Sequence, residues 1–230
     1  MELNDKTACL TCQIKSKAVE TLNKKELISL SNNCSEVSIK AGEYIIREGS
    51  LSSHIAYIKE GLLKVHMKGP RKRDQIIRIA NAGKYVGLQT ILSDKTHRYS
   101  ASALTDAKIC YIDILLFKEL ITKNSDFANE LIMYLCKDEL SYYERFVNLS
   151  QKQLSGRLCD ALMEIMELNG GANEFIMPLS RTDLAALVGA SRESTSRALK
   201  ELADSGVVKL NAKKIQILNP GLLKRISLIG

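Results

Sequence analysis

Residues 177–216 read MPLSRTDLAALVGASRESTSRALKELADSGVVKLNAKKIQ, and this stretch decides the fold. Ser180-Arg181-Thr182-Asp183 sets a hydroxyl, and a carboxylate three residues on, where the orphan N–H groups of a helix start need acceptors. Leu184, Leu187 and Val188 follow at helical spacing. Gly189-Ala190-Ser191 interrupts the pattern, and Ser191 stands as the cap of a second helix over residues 192–203. At ~100° per residue, Arg192, Glu193, Ser196, Arg197 and Lys200 fall on one face, and Thr195, Ala198, Leu199 and Leu202 lie opposite. Helix, glycine turn, helix is the form that lays a helix into the DNA major groove. The polar face carries arginine, glutamate and serine, which can bond base edges. A plain amphipathic hairpin with a solvated face would use the same residues.

The continuation favours DNA. Gly206 ends the second helix, and residues 207–210 and 214–218 read as two short strands around Asn211-Ala212-Lys213. A small hairpin after a recognition helix is a wing, and its Lys213 and Lys214 are placed for phosphate. Ser180, Arg181 and Ser191, at the two helix starts, complete the expected DNA contacts.

Together these motifs resemble the DNA-binding domain of the CRP/FNR family of transcription regulators. The likeness runs through L-S-R-x-D-L-A, V-G-A-S-R-E-S-x-S-R and the wing. In the resemblance, Arg192, Glu193 and Arg197 match the base-reading residues of the cyclic-AMP-responsive members. Glu193, Ser196 and Arg197 match those of the oxygen-sensing members. The chemistry agrees, because arginine bonds guanine bidentately and glutamate accepts from a cytosine amino group.

Charge alone says little. The chain of 230 residues has 33 basic and 26 acidic side chains, a formal net charge of +7. That balance suits an anionic partner, but the excess is spread over the whole chain, so affinity for DNA rests on local placement. No apolar run approaches the ~18 residues of a membrane span, and the N-terminus carries no secretion signal. A cytoplasmic chain with no membrane partner is expected. No acid–base pair, nucleophile elbow or phosphate loop points to an enzyme.

Residues 37–112 hold short β-prone runs punctuated by glycine, the pattern of a β-sandwich or barrel. Here G-E-x-I-x-x-E-G, I-x-x-G-x-x-K-V and A-G-x-x-x-G occur in the order seen in the cyclic-nucleotide-binding β-roll, and this resemblance covers most of residues 20–120. The resemblance implies an effector pocket around Gly87, Leu88, Gln89, Arg98 and Ser100. It also exposes a departure. Cyclic-AMP binders follow the glycine matching Gly87 with a glutamate for the ribose hydroxyl, and here Leu88 stands there. Leucine cannot accept that hydroxyl. Arginine and serine for a cyclic phosphate survive only as Arg98 and Ser100, split by Tyr99. Cyclic AMP is therefore disfavoured, and the effector is left open.

Cys9 and Cys12 form C-x-x-C, and Cys110 sits in a later strand. The oxygen-sensing members hold an iron–sulfur cluster with similar cysteines. This chain has Lys15 or Lys17 where the next N-terminal thiol belongs, and the spacing of Cys34 does not fit. An iron–sulfur cluster or haem thus enters only as an alternative sensing mode, with Cys9, Cys12 and Cys110 its candidates. Cys136 and Cys159, in apolar helical stretches, read as small core residues. His54, His66 and His97 lie in or near β-segments without ligand-like spacing.

Residues 115–122 read as a short helix. From Asp126 on, Ala128, Ile132, Leu135, Tyr142, Phe146 and Leu149 recur at three- to four-residue steps. In the resemblance, such a helix pairs with its twin in a parallel dimer. Ser150-Gln151-Lys152-Gln153 reads as a hinge, and residues 154–168 as the helix that begins the DNA domain. The expected architecture is α+β: a tail over 1–20, a β-roll sensor over 21–123, a dimerisation helix and hinge over 124–150, and a winged helix-turn-helix over 151–230. The resemblance implies a homodimeric regulator that binds double-stranded DNA and works with RNA polymerase. The rival from another class is an enzyme whose nucleotide-binding-like domain is catalytic, and a second rival is a ligand-binding adaptor that has lost DNA readout.

Overall fold

The computed structural model describes residues 8–69, 73–93 and 95–230. The chain forms two compact units, Met1–Met67 with Ile77–Glu139, and Lys68–Ile76 with Leu140–Gly230.

The first unit begins with three helices, α1 (Ala8–Thr11), α2 (Lys17–Glu20) and α3 (Lys24–Asn32). The first two lie in the stretch expected to be a tail. Eight strands follow: β1 (Cys34–Ile39), β2 (Tyr44–Ile46), β3 (His54–Glu60), β4 (Leu63–Lys68), β5 (Asp74–Ala80), β6 (Tyr85–Val86), β7 (Ser100–Ala103) and β8 (Ala107–Asp113). A short helix, α4 (Leu88–Leu92), sits between β6 and β7. The strands form two four-stranded sheets, ordered β1-β8-β3-β6 and β2-β7-β4-β5.

The period-two alternation of strand side chains splits the interior into two cores. Along β3, Ala56 and Ile58 join Leu63, Val65, Ala101 and Ile109 in one cluster. Ile55 and Tyr57 point the other way, toward Tyr85, Leu88, Phe117 and Phe127. That second core is covered by α5 (Ile114–Lys123) and the start of α6 (Ser125–Gln151).

Helix α6 runs for 27 residues and differs in detail from the expected seam. Phe127 and Leu131 are buried, and Leu135 packs against the core of its own unit rather than along a free face. The exposed apolar stripe is instead Ile132, Leu140, Tyr143, Phe146 and Val147. Cys136 is also exposed, contrary to its reading as a core residue, because it follows Ile132 by one turn on the outer face. Cys159 is fully buried as expected. A buried ion pair ties α6 to β5: Arg78 Nη1 meets Asp138 Oδ1 at 2.5 Å, while Nη2 donates to the Tyr85 carbonyl at 3.1 Å.

The second unit is built on α7 (Leu154–Leu168), with α8 (Arg181–Val188), α9 (Arg192–Asp204) and α10 (Pro220–Ile229). A three-stranded sheet ordered β10-β11-β9 completes it, from β9 (Glu174–Ile176), β10 (Val208–Asn211) and β11 (Lys214–Ile217). Leu158, Leu162, Ile165, Leu184, Leu187 and Leu199 form its interior. The break before α7 is short, and Arg157 Nη1 donates to the Leu149 and Lys152 carbonyls at 3.0 Å each, satisfying acceptors that the end of α6 leaves open. Strand β9 and helix α10 carry no expectation from the sequence. Three residues are too few for periodicity, whereas α10 does carry a start signal, Asn219 accepting from Leu222 N with Pro220 in the first turn.

Candidate nucleic-acid interface

Helix α8 opens as its sequence dictates. Ser180 Oγ accepts from Asp183 N at 3.0 Å, and the Asp183 carboxylate reaches back to Ser180. It closes at Gly189, whose φ of 66° is left-handed backbone that a residue with a Cβ adopts at a cost. That turn delivers Ser191 as the cap of α9, with Oγ accepting from Ser194 N at 3.0 Å. Thr195 is fully buried and spends its hydroxyl on the Ser191 carbonyl at 2.8 Å, which lets a polar side chain sit at the helix junction.

The two faces of α9 separate cleanly. Thr195, Ala198, Leu199 and Leu202 are buried, whereas Arg192, Glu193, Ser196, Arg197 and Lys200 are exposed. The Glu193 carboxylate is held below the usual carboxylate value by backbone N–H and Ser191 hydrogen bonds at the helix start, so it stays anionic. Ser180 is exposed and Arg181 half-buried beside it. Five polar side chains thus stand exposed on one face of α9.

The wing is a tighter hairpin than expected, with Asn211 drawn from the loop into the first strand. Strands β10 and β11 pair from Val208↔Ile217 to Asn211↔Lys214, which leaves Ala212 and Lys213 as a two-residue loop. Ala212 takes φ 52°, a strained value for alanine and one that such tight hairpins impose. Lys213 is exposed at the tip. Lys214, expected to meet phosphate, also forms an exposed ion pair with Glu174 of β9 at 2.5 Å. The pairing of β11 with β9 brings Glu174 opposite Gln216, next to Lys214 on the sheet. An unrecognised third strand hid that partner from the sequence.

In the first unit, Gly87 (φ 94°) and Leu88 lie buried at the start of α4. A Cβ on Gly87 would come within 3.3 Å of Ile46 and 3.4 Å of His97. The expected effector residues differ in their surroundings. Arg98 is exposed, and Ser100 is buried with its hydroxyl accepting from Glu48 N at 3.0 Å. Tyr99 takes the central place. Its hydroxyl accepts from Gly87 N at 2.8 Å and donates to Gln89 Oε1 at 3.2 Å. The backbone donor that a ligand at Gly87 would use is already engaged by the protein. Sequence reading treated Tyr99 as a spacer, and only its contact with Gly87 shows otherwise.

Cys9, Cys12, Cys34 and Cys110 line one small cavity, floored by Leu30 and Ile112 and edged by Lys15 and Lys59. Cys34, whose spacing does not fit the cluster pattern, lines the same cavity as the other three. A cluster needs four thiolates about one centre, and among the described residues no group of three or more His, Cys, Asp or Glu side chains is arranged to hold a metal ion. The histidines are dispersed: His54 bonds to Ser53 at 2.9 Å, His97 to Thr90 at 3.1 Å, and His66 is buried in β4. Among the described residues no helix is long and apolar enough to cross a membrane.

Comparison with known proteins places both units. Residues 36–124 match the cyclic nucleotide-binding domain, and residues 156–226 match the Crp-like helix-turn-helix domain. The chain is 22% identical over 203 residues to the CRP-like cAMP-activated global transcriptional regulator of Mycobacterium tuberculosis, covering 86% of this chain and 91% of that one. A crystal structure of a CRP/FNR-family regulator from Eubacterium rectale superposes with a TM-score of 0.77 at 20% identity, covering 91% of this chain and 96% of that one. FixK2 from Bradyrhizobium japonicum superposes with a TM-score of 0.76 at 22% identity, covering 84% and 96%. At these identities the superpositions speak for the fold alone.

Proposed function

The chain belongs to the CRP/FNR family of transcription regulators, and from that premise we propose that it is a homodimer that reads a specific DNA sequence through α9. One observation carries this reading. Arg192, Glu193, Ser196 and Arg197 are all exposed on one face of a helix whose opposite face is locked into its unit. Arg197 and Arg192 supply bidentate donors for guanine, and Glu193 an acceptor for cytosine. Lys213 at the wing tip and Lys200 on α9 supply phosphate contacts, with Ser180, Arg181 and Ser191 at the helix starts. Lys214, held by Glu174, contributes less than its position in the sequence suggested.

Dimerisation is assigned to α6. Ile132, Leu140, Tyr143, Phe146 and Val147 form an exposed apolar stripe along it, and a stripe of this kind calls for a partner. A two-fold dimer would present two α9 helices to successive major grooves of a palindromic site. The effector acts through the β-roll unit, and cyclic AMP is disfavoured there, since Leu88 stands where cyclic-AMP binders have a glutamate and Tyr99 engages the Gly87 N–H. Work with RNA polymerase in the cytoplasm follows from the same premise.

The test is selection of a DNA site from a random pool, followed by titration of variants on it. Arg197→Ala should cost ~1–3 kcal/mol and relax preference at one base pair per half-site. Lys213→Ala should weaken all sequences alike and flatten the dependence on salt. An Arg197→Ala protein that selects the same site as the parent would refute the assignment. Leu140→Glu should turn a dimer into a monomer by sedimentation, because a carboxylate cannot be buried unpaired in an apolar seam.

A further inference from the structure

The carbonyls that close α8 are satisfied from outside the helix-turn-helix. A helix leaves its last four C=O groups without partners of its own. In α8 the Ala185 carbonyl accepts from Gly189 N and, at 3.0 Å, from Ala190 N, both within the turn itself. The next two carbonyls are met by side chains distant in sequence. Gln75 Nε2, at the start of β5, donates to the Ala186 carbonyl at 2.5 Å. Arg145 Nη2, on α6, donates to the Leu187 carbonyl at 2.6 Å. The two donors are tied together, because both also reach the Ile76 carbonyl at 3.3 Å. Gly189 packs into the same assembly, where a Cβ would come within 3.2 Å of Leu149 Cδ2 and 3.9 Å of Gln75 Oε1.

We propose that Gln75 and Arg145 are positioning residues for DNA reading, which fix the turn between α8 and α9 and so set the angle at which α9 presents its polar face.

The proposal rests on α9 being the reading helix. Neither residue belongs to the stretch 156–226 that matches the helix-turn-helix domain, yet both are part of the second compact unit. Both side chains are half-buried and aim these donors at backbone, which makes them supports rather than base contacts. A cation suits the carbonyl end of a helix, and a planar guanidinium can hold two carbonyls in a fixed geometry.

The turn has leverage over the reading face. Arg197 stands five residues, or ~7.5 Å, along α9 from Arg192, so a tilt of ~10° at the turn moves it by about 1.3 Å. A hydrogen bond to a base tolerates an N···O distance of only ~2.7–3.2 Å, so such a tilt breaks it. The supports also come from two elements that the chain divides between its units. Strand β5 beyond Ile76 and helix α6 before Leu140 belong to the first unit. The turn that carries α9 is therefore held by the strand and the helix that continue into the effector unit.

The test compares the full-length protein with Gln75→Met, which keeps the length and neutrality of the side chain and removes the donor. Each is titrated on the selected DNA site and on an unrelated duplex of equal length, at several salt concentrations. Binding to unrelated DNA is electrostatic and does not depend on how the base-reading side chains are aimed. Gln75→Met should bind the selected site about fivefold more weakly, the effect of one lost hydrogen bond, with affinity for the unrelated duplex and the salt slope unchanged. Arg145→Lys, which keeps the charge and loses the planar fork, should give the same pattern. Gln75→Met decides the matter alone if Arg145→Lys does not fold. Equal weakening on both duplexes would mean that the variants only lose folded protein, and unchanged affinity for the selected site would mean that these donors do not aim α9; either result overturns the proposal. A wild-type protein that selects no site would instead refute the DNA-reading assignment and take this proposal with it.

Discussion

The helix-turn-helix of the second unit and the ligand-pocket region of the first are both small polar sites on a packed scaffold, yet they are assembled differently. In α8 and α9 each positioning contact joins residues three or four apart: Ser180 with Asp183, Ser191 with Ser194, Thr195 with Ser191. Around Gly87 the contacts reach across the chain, from Tyr99 to Gly87 and Gln89, from Ser100 to Glu48, and from Tyr134 to Tyr85. In the first site, Arg192, Glu193, Ser196, Arg197 and Lys200 stand exposed opposite the buried face that holds α9. In the second, the residues that would meet a ligand hold the unit together. Reading and stability are therefore separable in one region and coupled in the other.

The largest effect should come from the buried side of α9. Leu199 is 1% exposed, and Leu199→Ala should cost ~2–5 kcal/mol of stability through lost burial and the cavity left behind. Arg197→Ala, two residues away on the outer face, should leave the denaturation midpoint where it was. Equal destabilisation by the two variants would break the comparison, since it would mean that the reading face also carries the fold.

A smaller effect is expected at Tyr99. Tyr99→Phe keeps the ring and removes the acceptor for Gly87 N–H, leaving a buried donor unsatisfied at a cost of ~1–3 kcal/mol. Urea denaturation of the two proteins measures it. A neutral Tyr99→Phe would show that the Gly87 donor has another partner and that the pocket is as separable from stability as α9.

The smallest effect is a pH dependence that belongs to the first unit. Burial holds the His97 imidazole below its usual value. A base whose folded-state value is depressed favours the folded form above its unfolded pKa, ~6.5 for histidine, and loses that contribution as pH falls. The melting temperature should thus decline from neutral pH into the acid range, and His97→Gln should make the decline shallower. An identical slope in both proteins would remove His97 from the account and leave the carboxylates to explain it.

The same division governs what could be read in advance. The capping serines, Gly189, the split faces of α9 and the long α6 are all written in spacings of a few residues, and they stand in the structure where the sequence put them. The alternation in β3 was legible as a strand, though not which of its faces meets which core. Lys214 looked free because Glu174 is forty residues away and arrives only when β9 pairs with β11. Leu135 looked like part of a seam because helical period alone cannot say which apolar face packs on its own unit.

By itself the sequence determined the helices of the DNA-reading unit, the polar face they display and the β-rich character of the other unit. Each of these follows from local hydrogen bonding and from periods of two or 3.6 residues. Tertiary structure alone decided that Tyr99 closes onto Gly87, that Glu174 engages Lys214, and that Cys34 joins Cys9 and Cys110 in lining one cavity. Those contacts depend on strand register, and register comes from the packing of whole sheets rather than from any short run of residues.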